Sequence, residues 1–222
     1  MCLIVLAWRA HPRIPLIVAA NRDEFHARKA APAAFWQDQP QILGGRDLQA
    51  MGTWMAVSRS GRFAAVTNYR GAREPTAAES RGALVTGFLT NTASPTAYMA
   101  DVASRAAKYS GFNLLVSDRK ELWWMSNRDG SPRRLEPGYY ALGNLLLDSP
   151  EVQPFKGRIA ETSPAVEPLF GILAPAKIIN PEYGTRCSTV LLDDGSQVRY
   201  SERSFGPDGA DGETKHYQFN VA

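Results

Sequence analysis

Cysteine and histidine are scarce in this chain: two cysteines, Cys2 and Cys187, and three histidines, His11, His26 and His216, in 222 residues. Two cysteines so far apart make neither a disulfide framework nor a metal-ligand cluster. The histidines show none of the spacings that bind metal, so no metal centre and no resident cofactor is expected. Long apolar runs are also missing. Cys2 to Trp8 is a run of seven residues with no charged region before it and Arg9 directly after it. That is too short to span a bilayer and makes a poor signal peptide. A cytoplasmic, reducing home is expected, which would keep Cys2 as a thiol. Charge of one sign is not in excess either: 25 Lys and Arg stand against 22 Asp and Glu, a net charge of +3. The densest basic spots are Arg133-Arg134 and Arg70 with Arg73, far from a basic tract, which argues against nucleic acid as a partner. There are no internal repeats and no low-complexity segments.

What is present suffices for a folded enzyme-sized unit. Hydrophobic residues make up 44% and aromatics 10%, ample for a core, and the length suits one domain over residues 1–222. Cys2 to Trp8 and Pro15 to Ala20 are short apolar segments rich in branched residues, joined by the polar turn Arg9-Ala10-His11-Pro12-Arg13. They read as a hairpin buried on both faces, with its second strand stopping at Asn21. An antiparallel hairpin returns the end of its second strand to the start of its first. Cys2 is therefore expected beside Asp23.

Beyond the hairpin, Gly44-Gly45-Arg46-Asp47 and Gly52 read as a loop with tight turns. Trp54 to Ser58 and Phe63 to Tyr69 read as a second hairpin, and Phe112 to Asp118 with Glu121 to Asn127 as a third. Glu79 to Asn91 reads as a helix. Ser94-Pro95 reads as the start of another, serine capping and proline in the first turn. Tyr139 to Asn144 reads as a strand, Val152 to Leu173 as helix broken at Pro164 and Pro168. Arg186 to Asp193 pairs with Gln197 to Phe205, Gly206 to Gly212 reads as a mobile loop, and His216 to Ala222 as a last strand. Hairpins at both ends with helices in two blocks argue against a doubly wound parallel sheet. They suit an α+β fold, a four-layer αββα sandwich of two mostly antiparallel sheets.

Read alone, Cys2 is an ordinary buried strand cysteine. Its position gives it a second reading. If Met1 is removed, Cys2 carries a thiol and an α-amino group on adjacent atoms, so the thiol can be the nucleophile and the amine its base. Polar side chains gather where apolar strands stop or start, at Cys2, Asn21-Arg22-Asp23-Glu24, Thr67-Asn68-Tyr69-Arg70, Gly143-Asn144 and Thr185-Arg186-Cys187-Ser188-Thr189.

With Gly52-Thr53-Trp54, these pieces resemble the NRDE-motif family, the transport-and-Golgi-organisation (TANGO-type) proteins, in family order over nearly the whole chain. That family is similar to the N-terminal-nucleophile hydrolases of the bile-salt-hydrolase and penicillin-V-acylase branch. The resemblance implies Cys2 as nucleophile and Asp23 holding the α-amine or tuning the thiol. It implies Arg22 lowering the thiol pKa, Asn68 donating to an oxyanion, Asn144 positioning substrate or amine, and Arg186 near the nucleophile. Asn21, Trp54, Tyr69 and Arg70 are expected to bind substrate. Ala20 stands where the hydrolases carry an arginine. Cys187 is expected to pack rather than to act in redox chemistry.

Three functions follow as expectations. One is a cysteine amidohydrolase cleaving a linear C–N amide, of N-acyl type, through an acyl-enzyme at Cys2. The resemblance also implies a non-catalytic binder or carrier of haem or an acyl-CoA or lipid-like ligand, with Trp54, Tyr69, Trp123 and Trp124 as apolar walls and Arg22, Arg70 and Arg186 as anion partners. The third is an inactive relative serving as an interaction protein. A small-molecule substrate or ligand is the expected partner in the first two.

Overall fold

The computed structural model describes residues 2–71 and 79–221, so Met1, Arg73 and Ala222 lie outside the described residues. The chain divides into two compact units.

The first unit comprises Met1–Lys29, Pro137–Gly143 and Leu147–Val221. Among the described residues it holds strands β1 (Leu3–Trp8), β2 (Leu16–Phe25), β10 (Gly138–Leu142), β11 (Tyr183–Asp193), β12 (Gln197–Phe205) and β13 (Asp211–Asn220), in the order β10-β1-β2-β11-β12-β13, every pairing antiparallel. The expected first hairpin is there, with Leu3 opposite Asn21 and Trp8 opposite Leu16. Both faces of its apolar stretch are buried. Leu3, Val5, Ala7, Ile17 and Ala19 share a cluster with Ile159 of helix α3 (Gln153–Glu161) and with Leu169, Phe170 and Leu173 of helix α4 (Val166–Leu173). Ile4, Leu6, Val18 and Ala20 are buried on the opposite face, because strand side chains alternate. A strand without a polar face can only sit inside the molecule.

The second strand does not stop at Asn21. β2 runs through the polar motif to Phe25, because β11 supplies partners for it: Asn21 faces Ser188, Arg22 faces Cys187 and Asp23 faces Thr185. Arg186 is the extra residue of a bulge between Thr185 and Cys187. Such a bulge bends its strand and redirects the side chain it carries. Likewise β13 begins at Asp211, inside the stretch expected as a loop. Pro164 falls in the break between α3 and α4, whereas Pro168 sits in the first turn of α4, where no N–H is needed.

The second unit comprises Ala30–Glu136 and Asn144–Leu146. Its strands β3 (Ala30–Phe35), β4 (Ile42–Asp47), β5 (Met55–Ser58), β6 (Phe63–Asn68), β7 (Phe112–Ser117), β8 (Leu122–Ser126) and β9 (Arg133–Arg134) pair antiparallel in chain order. Helices α1 (Gly82–Thr90) and α2 (Pro95–Ser104) cover one face through Leu84, Val85, Phe88, Tyr98, Met99 and Val102. The Ser94 hydroxyl caps α2 by accepting from the Ala97 N–H at 3.2 Å, as its sequence predicts.

Gly44 and Gly45 lie in strand β4 rather than in a loop. Their reason is close approach, not positive φ. A Cβ on Gly44 would stand 2.7 Å from the Met55 carbonyl oxygen, and one on Gly45 2.1 Å from the Trp54 indole. Trp123 and Trp124 are neighbours on β8 and so face opposite ways: Trp123 joins the helix-side cluster while Trp124 is fully buried. They cannot line one wall together.

Candidate functional site

Cys2 directly precedes β1 and lies against the end of β2. The Asp23 backbone N–H donates to the Cys2 sulfur at 3.3 Å, and the thiol donates to the Asp23 carbonyl at 3.4 Å. Burial and the Asp23 carboxylate push the Cys2 thiol up to about 11; the Asp23 N–H and the Arg22 guanidinium pull the other way without prevailing. Arg22 is buried, with a guanidinium nitrogen 3.9 Å from a Glu24 carboxylate oxygen.

Asp23 is held from β11. The Thr185 hydroxyl donates to Asp23 Oδ1 at 2.6 Å and accepts from the Ile178 N–H at 2.8 Å, while the Tyr183 hydroxyl reaches the Asp23 carbonyl at 3.4 Å. These two positioning residues carried no role in the sequence reading. The only signal for Thr185 was its place in the Thr-Arg-Cys-Ser-Thr run, since the pairing of β11 with β2 joins residues about 160 positions apart.

Asn21 faces the helix side. Its Oδ1 accepts from the Ser188 hydroxyl at 2.6 Å and its Nδ2 donates to the Leu173 carbonyl at the end of α4, 3.2 Å away. It is a buried tie between β2, β11 and α4. Arg186, aimed by the bulge, donates through one terminal nitrogen toward three carbonyls, of Phe25 at 2.9 Å, Arg28 at 3.2 Å and His26 at 3.4 Å. It closes the turn after β2. Burial, with Arg22 beside it, holds its guanidinium below the ordinary value.

Cys187 stands on β11 with β2 between it and Cys2, so roughly 10 Å of sheet separates the two backbones, beyond disulfide reach. Burial, with Glu202 nearby, pushes its thiol well up, the condition of an inert packed cysteine.

The other expected residues gather in the second unit at the end of β6. Asn144 bridges back to this strand: its Nδ2 donates to the Asn68 carbonyl at 2.8 Å, and its own carbonyl accepts from the Arg70 N–H at 2.6 Å. The Asn68 and Arg70 side chains are exposed and Tyr69 is half-buried. Asn113 braces the same corner, its Nδ2 donating to Leu145 O at 2.8 Å and to the Thr67 hydroxyl at 3.2 Å. Trp54, half-buried, lies over Gly45.

The family model described as Transport and Golgi organisation 2 matches residues 1–167. The chain belongs to the TANGO2 family. It is 31% identical to the Transport and Golgi organization protein 2 homolog of Bos taurus, over 100% of this chain and 99% of that one. Among solved structures, this TANGO2-family chain is similar to a Caenorhabditis elegans N-acylethanolamine-hydrolyzing acid amidase (NAAA) ortholog, with a TM-score of 0.51 and 13% identity over 86% of this chain and 92% of that one. It is also similar to the C2A mutant of conjugated bile acid hydrolase from Clostridium perfringens, with a TM-score of 0.56 and 9% identity over 100% and 98%. At such identities the likeness is one of fold. The TANGO2-family chain has the α+β, N-terminal-nucleophile-hydrolase-like fold that its sequence leads one to expect. Among the described residues no helix is long and apolar enough to cross a membrane.

Proposed function

We propose that this chain is an N-terminal-cysteine amidohydrolase that cleaves a linear C–N amide of N-acyl type through an acyl-enzyme at Cys2. The observation that carries the reading is the seat of Cys2, its sulfur fixed against the Asp23 peptide beside a buried Arg22 and an Asp23 carboxylate held by Thr185. Removal of Met1 would expose an α-amine at the same residue. That amine takes the thiol proton, the thiolate attacks the substrate carbonyl, and the C–N bond breaks as the leaving amine takes the proton back. Water then cleaves the thioester, releasing the carboxylic acid and restoring the thiol. Arg22 favours the thiolate as a nearby cation. The fold likeness to an N-acylethanolamine-hydrolyzing acid amidase ortholog and to a conjugated bile acid hydrolase supports the reading at the level of fold.

The test is to incubate the chain, with its N-terminal mass determined, with a panel of N-acyl amides and to follow Cys2 by peptide mass spectrometry. An acyl adduct on Cys2 and amine release are expected from the Met1-free form. Turnover by protein that retains Met1 would overturn the mechanism.

A second reading rests on a different observation. With the thiol held at about 11, Cys2 is a poor nucleophile at neutral pH, and Trp54, Tyr69 and Arg70 leave aromatic and cationic surface accessible in the second unit. These would suit a carrier of an acyl-CoA-like or haem ligand, an apolar body with an anionic head. For haem, His26 fits poorly as an axial ligand, its Nε2 lying 3.1 Å from the Asn180 carbonyl. Saturable binding of haemin or an acyl-CoA that survives Cys2→Ala, with no amide turnover, would favour this reading over the first.

A further inference from the structure

On the helix side of the first unit, away from the face that carries Cys2, a cavity of about 260 Å³ opens between α4 and the paired strands β11, β12 and β13. Phe170 and Phe205 form its apolar walls, and each has a cation against it. The Arg203 guanidinium lies 4.6 Å from the Phe170 ring centre and the Lys177 ammonium 4.4 Å from that of Phe205. Both cations are anchored independently of any acid: Arg203 Nε donates to the Thr214 hydroxyl at 3.1 Å and Lys177 Nζ to the Gly209 carbonyl at 3.0 Å.

Each cation also meets a carboxylate, Arg203 with Glu167 at 2.7 Å and Lys177 with Asp211 at 3.6 Å. The partners are unequal in exposure. Both cationic side chains are 23% exposed, whereas Glu167 is 68% and Asp211 61% exposed. An exposed carboxylate can turn into water at little cost, while the cations stay fixed in the cavity. The lasting character of the site is therefore two preset cations over two aromatic walls.

We infer that this cavity binds a small amphiphilic anion, a single carboxylate or phosphate head on one ring or a short acyl chain. The volume lies just below the usual range for small-molecule sites, which limits the body to that size. The head takes the place of Glu167 on Arg203, and the body lies between Phe170 and Phe205. Ser188, on the cavity wall, donates to Asn21 in the strand that also carries Arg22 and Asp23.

The experiment is a calorimetric titration of the full chain with phenyl phosphate, with inorganic phosphate as the head alone. Saturable binding of phenyl phosphate is expected, with inorganic phosphate weaker. Arg203→Gln and Lys177→Gln should each weaken it about tenfold, the scale of one charge-assisted hydrogen bond. Glu167→Gln should tighten it, and Cys2→Ser should leave it unchanged, which separates this site from the one proposed above. In the unsubstituted chain, phenyl phosphate should shift the amide resonances of Gly171, Ser188 and Asp211. No saturable binding at millimolar phenyl phosphate, shifts confined to other residues, or weaker binding by Glu167→Gln would overturn the inference.

Discussion

The Cys2 sulfur accepts the Asp23 backbone N–H at 3.3 Å and donates its own proton toward the Asp23 carbonyl at 3.4 Å, so the backbone of one residue fixes the sulfur in place. Burial raises the pKa to about 11 in the chain that keeps Met1. The sign is set by the cost of an anion in a dry place: the thiolate is the disfavoured form, so reactivity rises with pH up to about 11. Iodoacetamide modification of Cys2, followed by peptide mass spectrometry, should be slow at neutral pH and climb about tenfold per pH unit through the alkaline range. A plateau near neutrality would contradict it.

Thr185 should matter to Asp23 more than any neighbour in sequence. Replacing it with valine removes the donor to Oδ1 and strands the Ile178 N–H. A loss of about 1.5–3 kcal/mol is expected, the range for hydrogen bonds to charged groups. Urea denaturation of Thr185→Val against Thr185→Ser gives the comparison, since serine keeps the hydroxyl and should recover most of the stability.

Asn21→Ala removes both ends of a buried tie, leaving the Ser188 hydroxyl and the Leu173 carbonyl short of a partner. The expected cost is about 1–3 kcal/mol. On any amide substrate that the chain turns over, KM should stay near its original value while the melting temperature falls. A large KM change at unchanged stability would instead assign Asn21 to substrate binding.

Arg186→Lys keeps the charge and loses the planar fork. The carbonyls of Phe25, His26 and Arg28 meet one terminal nitrogen of the guanidinium, and a lysine side chain, one atom shorter, does not carry its ammonium to that point. Hydrogen exchange should quicken at the amides of residues 26–28, with the remainder of β2 near its original protection. Uniform protection throughout would show that the turn does not depend on this side chain.

Gly45→Ala should displace an indole. The new Cβ would fall 2.1 Å from Trp54 Cη2, so the ring must leave its present seat. Overpacking of this kind costs about 1–3 kcal/mol. Tryptophan fluorescence should shift to the red as the already half-buried ring gains water, and Trp54→Phe in the same background should abolish that shift.

Much of the fold was legible in local pattern. The apolar runs from Leu3 to Ala20 announced a hairpin buried on both faces, and the hairpin alone predicted the meeting of Cys2 with Asp23, because antiparallel return is a rule of chain geometry. The Ser94 cap and the breaks around Pro164 were equally local. The limits of β2 were not. Asn and Asp are poor strand formers, and from Arg22 to Phe25 the β11 ladder carries the strand, a partner that sequence distance hides.

The site shows the same division. The meeting of Cys2 with Arg22 and Asp23 was written in the sequence, since it follows from the hairpin, whereas Arg186 was named only through the family resemblance. What each side chain does was decided by tertiary structure. Alternation along β2 sends Asn21 to the helix side while Arg22 shares the face of Cys187, and the bulge at Arg186 turns a candidate site cation onto three backbone carbonyls. Local sequence sets what a segment can become, because periodicity and turn chemistry act over a few residues. Partners for buried polar groups are found across the sheet, because only a folded ladder brings a donor to an acceptor more than a hundred residues away.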